Sequence, residues 1–479
     1  MPRKKAAQAD AVPAFDPYAT LDADIDLIAK KVGLTAMSVS EKEDRFDTGN
    51  LCLNLMTAGG FLGGGWYTFF GGEQSCKTTL ATNVLGSIVR QKNFLGRAFF
   101  YDYEGSFSAD YADNMWQYNT NGRANNVEHV FGKKDKDGNW IIKPRIQYFA
   151  PAVGEDFFDA LSQLLKKLPS VMLLDGSYWY IYPNTKANQA MLKGKYDTAY
   201  FRKYNKFRIP APHGLPQAVI VVDSYPSMLP RNQDEKDDGS DGLASQARMF
   251  SDGLKRVKGR MREKRVLVFG INQTRAVPMA MHGPKEQEAC GNALRYYSDA
   301  RFRMTSISVP HSGASGPVEE EDSLSGEGVD TYRYIRCFAF KNKLGGPQKY
   351  TCDLRLYVSD ANGEAKGFDR VWDCYMYLKQ TGQISGQRNK IKFGEGTPFA
   401  GNVLSWMELK GLVDGEKSMI EAICKKYKLP KPIRLYEWCR TQCMNGNGYE
   451  LFMTWIKDTK TKKAANAKSK AETDSDDAE

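Results

Sequence analysis

Runs of consecutive apolar side chains closed by polar residues set the frame of the chain. Trp66-Tyr-Thr-Phe-Phe70, Arg97-Ala-Phe-Phe-Tyr-Asp102, Gln217-Ala-Val-Ile-Val-Val-Asp223 and Arg265-Val-Leu-Val-Phe-Gly-Ile271 are rich in β-branched and aromatic residues. They predict buried strands. Segments 80–90 and 244–261 read as helices between them. Apolar strands alternating with helices predict a doubly wound, mostly parallel α/β core with its chemistry at the strand C-terminal ends, where Asp102-Tyr-Glu104, Asp223 and Asn272-Gln273 stand.

The first strand runs directly into Gly71-Gly-Glu-Gln-Ser-Cys-Lys-Thr-Thr79, a phosphate-binding loop of the form G-x-x-x-x-G-K-T with Cys76 in place of the last glycine. Strand, glycine loop and helix in this order raise the motif above a chance match. The loop, from Gly71 and Gly72 through Glu73, Gln74, Ser75 and Cys76 to Lys77, Thr78 and Thr79, is expected to cradle phosphates at a helix N-terminus. Lys77 would reach the outer phosphates and the Thr78 hydroxyl would bind Mg²⁺, so the expected cofactors are ATP and Mg²⁺. A glycine at position 76 would leave the backbone free to approach the phosphates, so the thiol is expected to slow turnover or alter its geometry. Its place at a helix N-terminus beside Lys77 predicts a lowered thiol pKa.

Two strands compete for the metal-side carboxylate. Val171-Met-Leu-Leu-Asp175 and the strand ending at Asp223 both read as an apolar run closed by an acid. Asp223 is preferred, because its strand is longer and β-branched and is followed by a helix and another strand, as a βαβ unit requires. Between them lies an aromatic and basic stretch, 177–216, which reads as an insertion. Trp179, Tyr180, Tyr200, Arg202 and Lys203 belong to it, and it suits DNA contact, a small domain core or a partner surface equally.

The whole chain of 479 residues, 42% hydrophobic and 26% charged, is long enough for one large domain with appendages. Its net charge of +10 suits a polyanionic partner without demanding one. Nine scattered cysteines with no C-x-x-C, beside only four histidines, argue against a zinc site or a disulfide framework and for a reducing cytoplasm. The basic N-terminus lacks the apolar core of a secretory signal, and no apolar run has the length of a membrane span; a soluble, cytoplasmic protein without membrane contact is expected.

Composition divides the chain into an N-terminal arm (1–47, with a short amphipathic helix at 21–32 that is expected to serve oligomerisation), a nucleotide-binding core that is expected to be an ATPase (48–369, with the insertion at about 171–216), a C-terminal domain (370–458), and a basic run and acidic disordered tail (459–479). An acidic turn at 319–328 is followed by strand-like segments at 332–340 and 349–358.

Seven segments in fixed order carry a resemblance. They are Thr48-Gly-Asn-Leu-Cys-Leu-Asn54, the phosphate loop, Asp102-Tyr-Glu104, Val221-Val-Asp-Ser224, Ile271-Asn-Gln-Thr-Arg275, Gly291-Asn-Ala-Leu-Arg-Tyr-Tyr297 and Phe340-Lys-Asn-Lys343. Singly they are weak, and together they cover about 45–360. In them the chain resembles RecA-type DNA strand-exchange recombinases, of the bacteriophage RecA/UvsX-like kind, which would place it in a bacterial host cytoplasm.

The resemblance implies a RecA-like P-loop NTPase fold and a set of roles. Glu104 would polarise the water that attacks the γ-phosphate, and Asp223 would hold Mg²⁺ through its water shell. Tyr111 would stack on adenine, although a core tyrosine at the start of a helix is nearly as good a reading. Gln273 would sense the γ-phosphate and pass nucleotide state to the mobile segment 274–290. There Arg275 and Lys285 would meet DNA phosphates, and Met279 and Met281, with Val277, would wedge between bases.

The first DNA loop would fall at 230–242, but here it is too acidic to grip phosphate. Arg248 and Lys255, seven residues apart on the next helix, are the better candidates, their ordinary reading being a solvated basic face. Gly291 and Asn292 complete the DNA set. Lys341 and Lys343, alternating on a strand, would reach the neighbouring subunit's ATP, as an arginine finger acts in trans.

The resemblance thus implies an ATP-dependent recombinase that forms a homo-oligomeric helical filament on single-stranded DNA and pairs it with double-stranded DNA. It would work with single-strand-binding or mediator proteins. A ring-forming RecA-fold helicase or translocase, and an ATP-binding DNA filament scaffold with weak hydrolysis, are the alternatives.

Overall fold

The computed structural model describes residues 45–461 apart from 91–93, 95, 120–126, 169, 176–177, 183–185, 195, 206, 211–216, 235–241, 277–285, 308–330 and 360–365. The expected helix at 21–32, the acidic turn at 319–328, the tail and the side chains of Met279, Met281 and Lys285 lie outside them.

Nine strands form the path of the main sheet: β1 (Trp66–Gly71), β2 (Arg97–Asp102), β3 (Ile146–Phe149), β4 (Ala218–Asp223), β5 (Val266–Ala276), β6 (Ala300–Ile307), β7 (Thr331–Asn342), β8 (Thr351–Ser359) and β9 (Gly367–Phe368). Their spatial order is β9-β8-β7-β6-β1-β5-β4-β2-β3. From β6 to β3 every pairing on this path is parallel, and β7, β8 and β9 add an antiparallel flank.

The continuous apolar runs are explained by burial on both faces. Side chains alternate, so Trp66, Ile220, Val222, Val266 and Val268 enter one apolar cluster while Tyr67, Phe69, Val221, Leu267 and Phe269 enter the other. The first cluster is covered by helices α2 (Gly154–Lys167) and α3 (Gly242–Met261). They touch closely: Phe158 and Phe250 meet edge to face at 5.7 Å, and a Cβ at Gly253 would lie 2.5 Å from the Phe158 ring.

The opposite face is covered by α1 (Lys77–Val89) and by helices of the C-terminal region, whose Trp372, Tyr377, Leu412 and Phe452 join the same cluster. Asp373 ties that region to the start of the core by accepting the backbone N–H groups of Leu51 (2.6 Å) and Cys52 (3.0 Å). Burial lifts the Asp373 carboxyl to about 6, against the pull of those donors and of the Tyr436 hydroxyl.

The insertion builds its own three-stranded antiparallel sheet from Ser170–Asp175, Tyr178–Tyr182 and Phe207–Pro210. The strand of Asp175 therefore stands outside the main sheet. Among the described residues no helix is long and apolar enough to cross a membrane.

Candidate nucleotide site

Parallel strands deliver their C-terminal ends to one edge of the sheet, and the register fixes which residues meet there. Gln273 pairs with Gly71 across β5 and β1, and Asp223 with Asp102 across β4 and β2. The phosphate loop, the metal-side acid, the Glu104 loop and Gln273 share this edge.

The loop joins β1 to α1. Gly71 has φ +157°, and a Cβ there would lie 2.1 Å from the Met304 carbonyl, so β6 leaves no room for a side chain. The Ser75 hydroxyl donates to the Gly72 carbonyl at 2.8 Å. The Lys77 ammonium donates to the same carbonyl (2.5 Å) and to Ser75 Oγ (3.2 Å). It lies folded back onto the loop. Burial lowers the Lys77 pKa, and Asp223 and Glu104 partly restore it.

Cys76 occupies the left-handed region, φ 60° and ψ 31°, at the N-cap of α1. A glycine adopts this conformation freely and a cysteine does not. Its thiol differs from the expectation: burial pushes the pKa up, and the nearby Arg333 guanidinium and Lys77 ammonium only partly offset this. Desolvation of the thiolate outweighs the helix terminus and the two cations.

Thr78 Oγ1 donates to Asp223 Oδ2 at 2.7 Å. The other oxygen, Oδ1, is buried without a hydrogen-bond partner. Burial raises the Asp223 carboxyl to about 7, with Glu104 and Asp102 adding to the rise and Thr78 and Lys77 opposing it. A buried carboxylate oxygen with nothing to bond, beside a threonine hydroxyl and a phosphate loop, fits a hydrated Mg²⁺.

Glu104 is exposed and its backbone is firmly held. Its N–H approaches the Asp223 carbonyl (3.2 Å) and Asp102 Oδ1 (3.2 Å). Asp102 also accepts from the Gly105 N–H (2.8 Å), the Phe107 N–H (3.1 Å) and the Tyr148 hydroxyl (2.9 Å). Asp102 thus organises the turn that presents Glu104, and its position at a strand end beside Glu104 was the one sequence signal for it. Tyr148 carried none.

Beyond Gln273, β5 continues to Ala276 and pairs antiparallel with Glu286–Glu288. Asn272 Nδ2 donates to the Ala289 carbonyl (3.1 Å), the Ala289 N–H to the Gln273 carbonyl (3.1 Å) and the Gln273 N–H to Asn272 Oδ1 (2.9 Å). The base of the second loop is therefore clamped to the strand that carries Gln273. Glu288 pairs with Arg301 in the interior beneath it, a partnership with no sequence signal. Arg275 is exposed at the root of the hairpin.

The Tyr111 ring is half-buried, and its hydroxyl lies 3.5 Å from Thr79 Oγ1, next to the loop. Arg248 and Lys255 are both exposed on α3, and Arg248 lies 3.7 Å from Asp252. Gly291, φ +75°, caps a six-residue helix (Asn292–Tyr297), and Asn292 is exposed. The two lysines differ. Lys341 is the last residue but one of β7, its ammonium donating to the carbonyls of Arg295 (2.7 Å) and Tyr296 (2.9 Å), while Lys343 lies one residue past the strand, exposed. Burial, with Lys343 and Arg301 as like charges, lowers the Lys341 pKa to about 8.

Residues 216–319 match the RecA N-terminal domain family. The match contains Asp223, Gln273 and Gly291 and begins after the phosphate loop, which stands on its own residues and geometry. Curated relatives include Protein RecA of Acinetobacter baylyi, 27% identical over 213 residues (44% of this chain, 55% of the relative). Protein RecA of Pseudomonas fluorescens is 30% identical over 197 residues (39% and 51%). Protein RecA of Zymomonas mobilis is 30% identical over 131 residues (27% and 33%). The chain spans about half the length of the first of these relatives. Among solved structures, the crystal structure of the RadB recombinase aligns with 66% of this chain and 97% of its own, at 16% identity and a TM-score of 0.35. The chain is an α/β protein with a mostly parallel central sheet and a phosphate-loop motif, similar over residues 216–319 to the RecA N-terminal domain and over less than half of its length to RecA proteins.

Proposed function

We propose that this chain is an ATP-dependent DNA recombinase that assembles as a helical filament on single-stranded DNA and promotes homologous pairing and strand exchange with duplex DNA. The observation that carries the reading is the meeting of Thr78, Asp223, the Glu104 turn and Gln273 at one sheet edge around the phosphate loop, in a chain similar to RecA proteins.

The residues divide the work. Loop N–H groups and Lys77, which must leave the Gly72 carbonyl, hold the β- and γ-phosphates. Thr78 and Asp223 would hold Mg²⁺, which supplies charge neutralisation on the phosphate oxygens. Glu104 orients the attacking water. Gln273 meets the γ-phosphate and, through the Asn272 and Ala289 clamp, moves the root of the second loop, whose Arg275, Met279, Met281 and Lys285 would engage DNA together with Gly291 and Asn292. Arg248 and Lys255 add phosphate contacts from α3. Lys341 and Lys343 act on the neighbouring subunit's nucleotide, so that turnover follows assembly.

A filament scaffold with weak hydrolysis is the second reading, favoured by the strained left-handed Cys76 beside the phosphates. Hydrolysis measured with and without single-stranded DNA, with the product imaged by electron microscopy, separates the readings. Helical filaments with DNA-stimulated hydrolysis support recombination, and filaments without turnover support the scaffold. Closed rings that unwind duplexes would instead mark a helicase.

A further inference from the structure

The phosphate loop has a neighbour that none of the sequence motifs contains. β7 runs antiparallel to β6, so its first residues reach the same sheet edge as the last residues of the parallel strands. Met304 of β6, whose carbonyl crowds Gly71, pairs with Cys337, and β7 starts six residues earlier at Thr331. One of those residues reaches the loop. Arg333 is half-buried there, and its Nη1 donates to the Gln74 carbonyl at 3.4 Å. The same guanidinium bears on the Cys76 thiol and on the Tyr111 phenol, lowering the pKa of each against the effect of burial. Among the described residues no carboxylate lies within ion-pairing distance of it.

Position decides what such a cation is for. Thr78 reaches Asp223 on the metal side of the loop, whereas Tyr111 reaches Thr79, the next residue of α1. Glu104 and Asp223 act on Lys77, Arg333 acts on Tyr111, and Cys76 lies under the influence of both cations. The two cations therefore serve different ends of the loop, Lys77 the terminal phosphates and Arg333 the end toward the base. A guanidinium offers five N–H donors in a planar fork, and the Gln74 carbonyl takes one. Arginine is the side chain that combines phosphate contact with stacking on a π face.

We propose that Arg333 is a nucleotide-contacting residue of this chain's own site, closing the phosphate loop from the antiparallel flank and holding the α-phosphate and base end of a bound nucleoside di- or triphosphate. The proposal rests on the nucleotide reading of the loop. Because ADP and ATP share that end, Arg333 supports both equally, unlike a residue that meets the γ-phosphate.

Equilibrium binding of fluorescently labelled ADP and ATP with Mg²⁺ to the full chain tests it, using Arg333→Gln, Arg333→Lys and Lys77→Ala, with thermal melts of each. Arg333→Gln keeps a neutral donor for the Gln74 carbonyl and removes the charge. It should weaken both nucleotides by roughly tenfold, with a shallower salt dependence, while the apo melting temperature stays unchanged. Arg333→Lys should lose less. If Arg333→Gln binds both nucleotides like wild type while Lys77→Ala fails, Arg333 only braces the loop and the proposal is overturned with the site intact. A loss for ATP alone overturns its placement at the base end. Equal binding by wild type and Lys77→Ala overturns the nucleotide reading itself.

Discussion

Thr78 and Asp223, 145 residues apart in sequence, are joined by a 2.7 Å hydrogen bond that leaves the second oxygen of Asp223 buried and unbonded. Burial, against the pull of the Thr78 hydroxyl, raises the carboxyl to about 7. A raised carboxyl means that the folded apo protein holds a proton that the unfolded chain has lost. Stability from this group is therefore greatest near pH 4 and declines as pH climbs to about 7. Mg²⁺ requires the ionised form, so Mg²⁺-dependent nucleotide affinity should rise between pH 6 and 8 and level off above. Asp223→Asn should abolish that pH dependence and raise apo stability at pH 8 by about 1–3 kcal/mol, which thermal melts and titrations at several pH values would read. An unchanged pH profile in the variant would assign the effect elsewhere.

Cys76 was legible as a departure from the motif, and its environment was not. Sequence shows a lysine and a helix N-terminus, which argue for a reactive thiolate; burial against the loop, a tertiary property, reverses the sign. Alkylation of Cys76 by a maleimide should thus be slow at pH 7, keep accelerating through pH 9, and be blocked by Mg-ATP. Equal labelling with and without nucleotide would count against the site.

Cys76→Gly relieves a left-handed backbone, φ 60°. It should stabilise the loop by about 1 kcal/mol and increase the rate of ATP hydrolysis. Turnover no faster than wild type would mean that the thiol does not limit catalysis.

Asp102 holds three backbone N–H groups of the Glu104 turn. Asp102→Ala should cost about 1–3 kcal/mol of stability and lower kcat by at least tenfold with a smaller change in nucleotide affinity. If kcat were preserved, Glu104 would not depend on this turn for its position.

Lys341, lowered to about 8 by burial and like charges, loses its proton as pH rises through that value. If its charge serves a neighbour's nucleotide, hydrolysis by assembled protein should fall above pH 8, and Lys341→Arg should remain active to higher pH. In the single chain its ammonium is engaged by the Arg295 and Tyr296 carbonyls, so assembly must release it.

The α/β core was readable because strands buried on both faces are written as unbroken apolar runs, and Trp66, Tyr67, Val221 and Val222 show the two faces directly. The Asp223 strand takes a central place in the main sheet and the Asp175 strand pairs within the insertion, although both are six residues long, so β-branching and the following helix, not length, set them apart. Contacts between distant segments were not readable. Asp373 capping the Leu51 helix, Glu288 pairing with Arg301 and Arg333 reaching Gln74 join residues whose local patterns are ordinary. The packing of the C-terminal helices, the hairpin beside β5 and the antiparallel flank bring them together.

The most direct measurement is strand exchange between a single-stranded circle and its homologous linear duplex, in Mg-ATP, for wild type and Lys77→Ala. Wild type should convert the substrates to exchanged product and Lys77→Ala should form none. Exchange by the variant at the wild-type rate, or none by a wild-type protein that binds both ATP and DNA, would contradict the account.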